Sequence, residues 1–103
     1  MNDIEVLQKA RDNIAAGRWV QGSLWDGYSN YCAWGWLSIF AEGQQLYDLQ
    51  DLLEAHVPDV QRFNQIQSPL VQYNDLRSTT RQDMVDLFDK TLADMGGLAH
   101  ERQ

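Results

Sequence analysis

Apolar residues recur at helical spacing near both ends of the chain. The first stripe follows a cap at Asn2 or Asp3, precedes a stop at Gly17, and contains Ile4, Leu7, Ala10 and Ile14. The last stripe contains Met84, Phe88, Leu92 and Met95. Its start fits a capping box, formed by Thr79 with Gln82 or by Thr80 with Asp83. Because residues three or four apart share one face of a helix, each stripe predicts an amphipathic helix.

Two more helices are predicted in the middle of the chain. One covers residues 31–42, which Ser29 or Asn30 would cap, and the other covers residues 45–56. Gly35, within the first of them, costs ~1 kcal/mol relative to alanine. Its missing side chain would let another element of the fold pack directly against the helix backbone.

The segment after Pro58 has weaker periodicity. Residues 60–66 fit one or two helical turns. Ser68-Pro69 fits the start of another short turn, because proline is favoured at the first helical position. Tyr73-Asn74-Asp75 is typical of a turn whose side chains bond to nearby backbone. The segment therefore adds short turns, but no main helix, to the prediction.

Residues 19–36 contain all four tryptophans and the single cysteine. Within them, residues 19–24 alternate apolar and polar side chains, as a short strand does. Asp26-Gly27 is typical of a hairpin turn, and residues 28–30 would supply the returning strand. An ordered loop would use the same residues, so both alternatives stay open.

These patterns predict a mainly α fold with four main helices and a short β-hairpin or an ordered loop between helices 1 and 2. We expect residues 1–97 to form one compact domain and residues 98–103 to form a flexible tail. Large aromatic rings bury the most apolar area, so the core should form around residues 19–36. The predicted core consists of Leu7, Ile14, Trp19, Cys32, Trp36, Leu37, Phe40, Leu49, Leu53, Tyr73, Met84, Phe88 and Leu92.

Composition and charge narrow the classes of function. Fifteen acidic residues outnumber eight lysines and arginines, giving a net charge of −7. This charge disfavours direct binding to nucleic acid, which depends on cationic contacts with phosphates. The longest mostly apolar run, residues 32–41, is far shorter than the ~20 residues of a membrane span. A lone cysteine and the absence of a basic-then-apolar leader predict a protein of the reducing cytoplasm.

Three short motifs together resemble a known family. They are Trp-x-Gln-Gly at residues 19–22, Cys-x-x-Gly-x-Leu at residues 32–37, and Tyr73-Asn74-Asp75 before a final helix that starts with threonine. Their order and spacing, over residues 7–92, resemble a small domain family of unknown function found in actinobacteria and their phages. The resemblance implies an intracellular protein of actinobacterial or phage origin, and it implies no established activity.

Cys32 is the sharpest candidate for chemistry. A cysteine in the first turn of a helix has its thiolate stabilised by the helix dipole, which lowers the thiol pKa. Gln21 could donate to an oxyanion and Asn74 could orient a histidine, as in papain-like cysteine hydrolases. A general base for Cys32 is not identified, because neither His56 nor His100 belongs to a motif that would position it beside the thiol. The alternative, which we favour, is that Cys32 is a small buried apolar residue.

The remaining candidates are polar and aromatic side chains in turns. Gln21, Asn74 and Asp75 are candidate binding residues, but such side chains more often satisfy backbone groups of buried turns. Trp25, beside a turn, is the tryptophan expected to be exposed, where it would either bind a partner or close the rim of the core. One cysteine and two histidines lack the spacing of a zinc site, and no phosphate-binding glycine loop is present, so no metal or cofactor is expected.

Three functions of different classes remain open. The favoured one is a non-enzymatic module that binds a partner protein. The second is a small cysteine hydrolase or transferase that uses Cys32. The third is an acidic decoy of nucleic acid, for which the last helix supplies Asp83, Asp86, Asp89 and Asp94. A solvated helix face explains those four carboxylates without further assumption.

Overall fold

Five helices and one long loop make up the described part of the chain. The computed structural model describes residues 1–58 and 67–96. Its helices, in chain order, are α1 (Asp3–Ala15), α2 (Ala33–Phe40), α3 (Gly43–Glu54), α4 (Pro69–Asp75) and α5 (Arg81–Asp94). The mainly α class is confirmed. The helical turns predicted at residues 60–66 and the tail predicted at residues 98–103 lie outside the described residues.

The first and last helices are defined by reciprocal caps and pack against each other. Asn2 accepts a hydrogen bond from the Glu5 amide at 2.8 Å, and the Glu5 carboxylate accepts one from the Asn2 amide at 3.1 Å. Thr80 and Asp83 form the same box at the start of α5, so the second of the two predicted boxes is the one present. These bonds satisfy amides that have no partner within a helix.

The core lies where α1 packs against α2 and α5. Most of the predicted core residues are buried, but Trp19, Phe40 and Tyr73 are only partly buried around it. Among the described residues, the buried apolar ones that the prediction did not include are Val6, Ala10, Ala33, Ala41, Leu46, Leu70, Val85 and Leu87.

Four main helices were predicted, and the additional one is α4. Ser68 caps it by accepting from the Val71 amide, and Pro69 occupies its first turn, where a missing amide hydrogen costs nothing. The predicted Tyr73-Asn74-Asp75 turn is instead the last turn of this helix. Two of its three buried residues, Gln72 and Asn74, are polar, so hydrophobic periodicity does not reveal its inner face.

The aromatic loop, residues 16–32, contains no β-hairpin, so the ordered-loop alternative is the right one. Tyr31 forms single β-bridges with Trp19 on one side and with Trp25 on the other. Between those partners the chain reverses at Gly22, whose φ of +83° suits glycine and interrupts any strand. The Gly22 amide donates to Asp75 Oδ1 at the end of α4, so this backbone group is not available to a strand partner.

Gly35 receives the aromatic loop against its backbone, as its lack of a side chain predicts. A Cβ atom at this position would lie 2.8 Å from the Leu24 carbonyl oxygen and 3.1 Å from the Tyr31 Cβ. The same Leu24 oxygen accepts from the Cys32 amide at 3.1 Å. Glycine thus fixes how closely the loop approaches the start of α2, and Cys32, not Ser29 or Asn30, is the cap of that helix.

Candidate functional site

Asn74 joins the aromatic loop to α2 and α4. Its Oδ1 accepts from the Trp19 indole Nε1 at 2.6 Å and from the Ala33 amide at 3.0 Å. Its Nδ2 donates to the Val20 carbonyl at 3.1 Å and to Asp75 Oδ1 at 2.8 Å. The side chain is completely buried. Asn74 is a predicted binding residue, but both polar atoms of its side chain bond to other groups of the chain. Its role in the structure is to hold the aromatic loop against α2 and α4.

Gln21 closes the end of α4. The two hydrogens of its side-chain Nε2 are shared among the carbonyl oxygens of Asn74, Leu76 and Thr79, which lie 3.0, 2.6 and 3.1 Å from the nitrogen. Carbonyls at a helix C-terminus have no partner within the helix, so the amide of Gln21 acts as a cap supplied from elsewhere in the chain. Gln21 has no hydrogen left on this nitrogen for an oxyanion without giving up one of these bonds.

Asp75 holds the turn at Gly22. Its Oδ1 accepts from the Gly22 amide at 3.0 Å as well as from Asn74. The carboxylate is partly buried, and its second oxygen accepts no hydrogen bond from the described part of the chain. The structure thus brings Gln21, Asn74 and Asp75 together, two motifs that are more than fifty residues apart in the sequence.

Cys32 is buried at the start of α2. Its side chain is 5% exposed, and its Sγ accepts from the Gly35 amide at 3.4 Å. Burial raises the pKa of the thiol, the nearby charge of Asp75 raises it further, and the amides of Gly35 and Trp34 offset only part of the rise. The pKa shift is thus opposite to the lowering that a nucleophilic Cys32 requires.

The histidines do not supply a base for Cys32 in the described structure. His56 Nε2 lies 2.6 Å from Asp94 Oδ2, where it links the end of α3 to the end of α5. His100 lies outside the described residues. The catalytic hypothesis therefore lacks an activated thiol and a placed base in residues 1–58 and 67–96.

Aromatic rings form a continuous row from the core to the surface. Trp36 stacks with Phe40 at a centroid distance of 6.3 Å and meets the edge of Tyr31 at 4.9 Å. Tyr31 in turn stacks with Trp25 at 6.1 Å, with 14° between their planes. The Trp36 indole also donates to the Arg18 carbonyl at 2.7 Å. Trp25, at the outer end of the row, therefore stacks on a ring that is partly buried against the core.

A network around Asp26 fixes the turn that carries Trp25. The Asp26 carboxylate accepts from the amides of Tyr28 and Asn30, at 2.9 and 3.2 Å, and from the Asn30 side chain at 2.6 Å. The hydrogen bond from the Tyr28 amide is the main reason that the Asp26 pKa is lowered, since it favours the ionised form. The Trp25 indole donates to the Tyr28 carbonyl at 3.1 Å. The turn is held by side chains on both of its arms.

Three large apolar side chains of this turn face solvent. Tyr28 is 86% exposed, Leu24 51% and Trp25 50%. We call these three residues the aromatic patch. Sequence reasoning identified Trp25 alone, and it placed Tyr28 in a returning strand. The signal for Tyr28 was its position directly after Asp26-Gly27, because a residue at a turn tip has few neighbours to cover it.

The acidic residues of α5 form hydrogen bonds and ion pairs within the chain, whereas a mimic of nucleic acid needs a regular row of free carboxylates. Asp89 accepts from Arg11 at 2.9 Å, Asp94 contacts His56, and Asp83 closes the cap of Thr80. Asp86 accepts from Gln82 one turn earlier, at 2.9 Å. These contacts are structural, and they break up any regular row of free carboxylates.

Residues 1–58 and 67–96 contain neither a cluster of metal ligands nor a helix that could span a membrane. No three His, Cys, Asp or Glu side chains among them gather in the way a metal ion needs. Within the same ranges, each helix is too short or too polar to cross a membrane.

Comparison with known proteins gives a family and nothing further. A family of unknown function, DUF6197, matches residues 1–94, and the chain belongs to this family. Neither a curated protein nor a solved structure matches the chain. The family carries no activity that could be tested against the site.

Proposed function

We propose that this member of the family is a non-enzymatic module that binds a partner protein through the aromatic patch. A single observation carries the proposal: Leu24, Trp25 and Tyr28 are exposed on one short turn whose backbone is fixed by hydrogen bonds. Tryptophan and tyrosine are the residues most enriched at binding hot spots. A turn that is already ordered loses little entropy on binding, so more of the contact energy appears as affinity.

The chemistry of Cys32 supports the non-enzymatic part of the proposal. A buried thiol with a raised pKa is a poor nucleophile near neutral pH, because the thiolate is the reactive form. The residues that were candidates to assist it, Gln21 and Asn74, are already bonded to other groups of the chain. The actinobacterial or phage origin and the cytoplasmic location stay predictions, and they guide where a partner should be sought.

Tyr28→Ser is the sharpest variant for the test. In the described part of the chain the Tyr28 ring makes no ring contact and its hydroxyl makes no hydrogen bond, so we expect the variant to fold as the wild type does. Tyr47→Ser on α3 is the matched control, because Tyr47 is also exposed, at 56%, and lies outside the aromatic loop.

The experiment is quantitative affinity capture from actinobacterial cells, with and without phage infection, followed by titration calorimetry with the purified captured protein. We expect wild type and Tyr47→Ser to capture and bind the same protein, and Tyr28→Ser to weaken binding at least ~10-fold, as hot-spot truncations do. Equal binding by Tyr28→Ser and Tyr47→Ser would overturn the proposal, as would the absence of any protein that wild type enriches in either kind of cell.

A further inference from the structure

A groove beside the aromatic patch separates the aromatic loop from α4. It encloses ≈ 240 Å³, and its walls include Leu24, Cys32, Trp34, Val71 and Asp75. Leu24 belongs both to this groove and to the aromatic patch. A partner that covers the patch therefore lies directly beside the groove.

Asp75 gives the groove an oriented carboxylate. Bonds from Gly22 and Asn74 to Oδ1 hold the group in place. In residues 1–58 and 67–96, no group donates a hydrogen bond to the other oxygen, Oδ2, and no Lys or Arg forms an ion pair with Asp75. Its charge is felt across the groove, since it is one of the causes that raise the pKa of Cys32, after burial. A positively charged group in the groove would therefore meet a carboxylate that two hydrogen bonds already hold in place.

The other walls suit a long cation with an apolar stem. Trp34 is partly buried, and its indole is held by a 3.0 Å hydrogen bond from Nε1 to Gln50. Indole rings attract cations, and the planar guanidinium of arginine stacks on them better than a compact ammonium does. Leu24 and Val71 are apolar and fit the methylene stem of such a side chain.

We infer that the groove binds an arginine side chain of the partner protein whose apolar residues cover the aromatic patch. The inference rests on the proposed function and deepens it, because it gives the partner a basic residue next to its apolar contact. The net charge of −7 attracts such a basic segment over a longer range.

The test is an NMR titration of the ¹⁵N-labelled chain with the peptide acetyl-Gly-Arg-Gly-amide. We expect binding in the millimolar range, with the largest shifts at the Gly22 amide and at the Trp34 indole N–H. The same peptide with citrulline in place of arginine has the shape without the charge. Loss of the charge-assisted bond should weaken its binding at least about tenfold.

Asp75→Asn is the matched variant of the chain. An asparagine keeps an Oδ1 that can accept from Gly22 and Asn74, so the loop contacts survive while the charge is lost. We expect the variant to bind the arginine peptide at least about tenfold more weakly. Asp86→Asn, which removes a charge from the exposed face of α5, should bind as the wild type does.

The inference is overturned if the arginine peptide leaves the Gly22 and Trp34 signals unchanged. It is equally overturned if the citrulline peptide or Asp75→Asn gives the same dissociation constant as the wild-type pair. If Asp75→Asn does not fold, the citrulline comparison on the wild type still decides. Tyr28→Ser should bind the arginine peptide normally, so failure of the peptide and failure of the aromatic patch are separate results.

Discussion

Removal of the Asn74 side chain tests whether this residue anchors the aromatic loop. Asn74→Ala takes the acceptor from two donors, the Trp19 indole and the Ala33 amide, and the donor from the Val20 carbonyl. Asp75 Oδ1 keeps its bond from Gly22. The site is completely buried, so water does not readily replace the missing partners.

The expected cost follows from those unpaired groups. A buried donor left without a partner costs about 1–3 kcal/mol, so two of them predict a loss of about 2–6 kcal/mol, to which a small cavity adds. Typical domains have a free energy of unfolding of only about 5–15 kcal/mol. The loss should therefore be a large fraction of the total stability.

Urea denaturation, followed by tryptophan fluorescence and by circular dichroism, measures this loss. Asn13→Ala is the control, because Asn13 also bonds through both side-chain atoms, to the Lys9 carbonyl and from Arg18, but both of these bonds are exposed to solvent. We expect the control to lose less than about 1 kcal/mol, because water replaces its partners. A loss below about 1 kcal/mol for Asn74→Ala, or one equal to that of the control, would refute the anchoring role.

Two further predictions concern Gly35 and Cys32. Gly35→Ala should lower the free energy of unfolding by about 1–2 kcal/mol, because the 2.8 Å approach to the Leu24 carbonyl outweighs the ~1 kcal/mol gain in helix propensity. Urea denaturation measures it, and a stabilised variant would show that the loop moves away freely. Cys32 should react with iodoacetamide at pH 7 at least ~10-fold more slowly in the folded chain than in denaturant, and fast reaction of the folded chain would restore the catalytic hypothesis. Because the pKa of Cys32 is raised, its contribution to stability is complete below the ordinary value of 9.0 and is lost as pH rises beyond it, so Cys32→Ala should show a smaller alkaline loss of stability than wild type.

Local signals predicted the parts of the fold whose stabilisation is local. α1 and α5 each combine an apolar stripe with a reciprocal cap, and both signals lie within the helix itself. The close approach at Gly35 was also expected from the sequence, although the residue that approaches was not. Hydrophobic periodicity predicts a helix and its buried face. It does not predict which distant residues pack against that face.

The sequence left the hairpin and the ordered loop open as alternatives and predicted only a short turn where α4 lies, and both outcomes have one shared reason. The alternation over residues 19–24 is typical of a strand, yet Gln21 and Gly22 bond to α4. In α4, Asn74 is buried because it serves the loop, and its polarity hides the helix from a hydrophobic pattern. The aromatic loop and α4 stabilise each other although they are more than fifty residues apart in the sequence. The local sequence pattern of either element therefore does not predict its structure.

The prediction for Cys32 was limited in the same way, because the pKa of its thiol depends on residues far away in the sequence. The helix-dipole argument for Cys32 is correct in direction, since the amides of Gly35 and Trp34 do favour the thiolate. It was incomplete because burial acts in the opposite direction and is the larger cause. Burial depends on the loop and on α4, so a prediction from residues 32–35 could not include it.

Some side chains of the aromatic loop pack against the core and others are exposed to solvent. Asn74 fixes the position of the loop that carries both groups. Trp19 and Tyr31 point to the core, while Trp25 and Tyr28 remain at the surface. An apolar residue at position 74 would fill the same space but would offer no acceptor to Trp19 and Ala33, so it would not fix where the loop sits on α4. That position decides whether Leu24 closes one side of the groove at Asp75. A buried amide therefore sets the distance between the aromatic patch and the carboxylate beside it, and our proposal predicts that a partner presents apolar and basic residues at that same spacing.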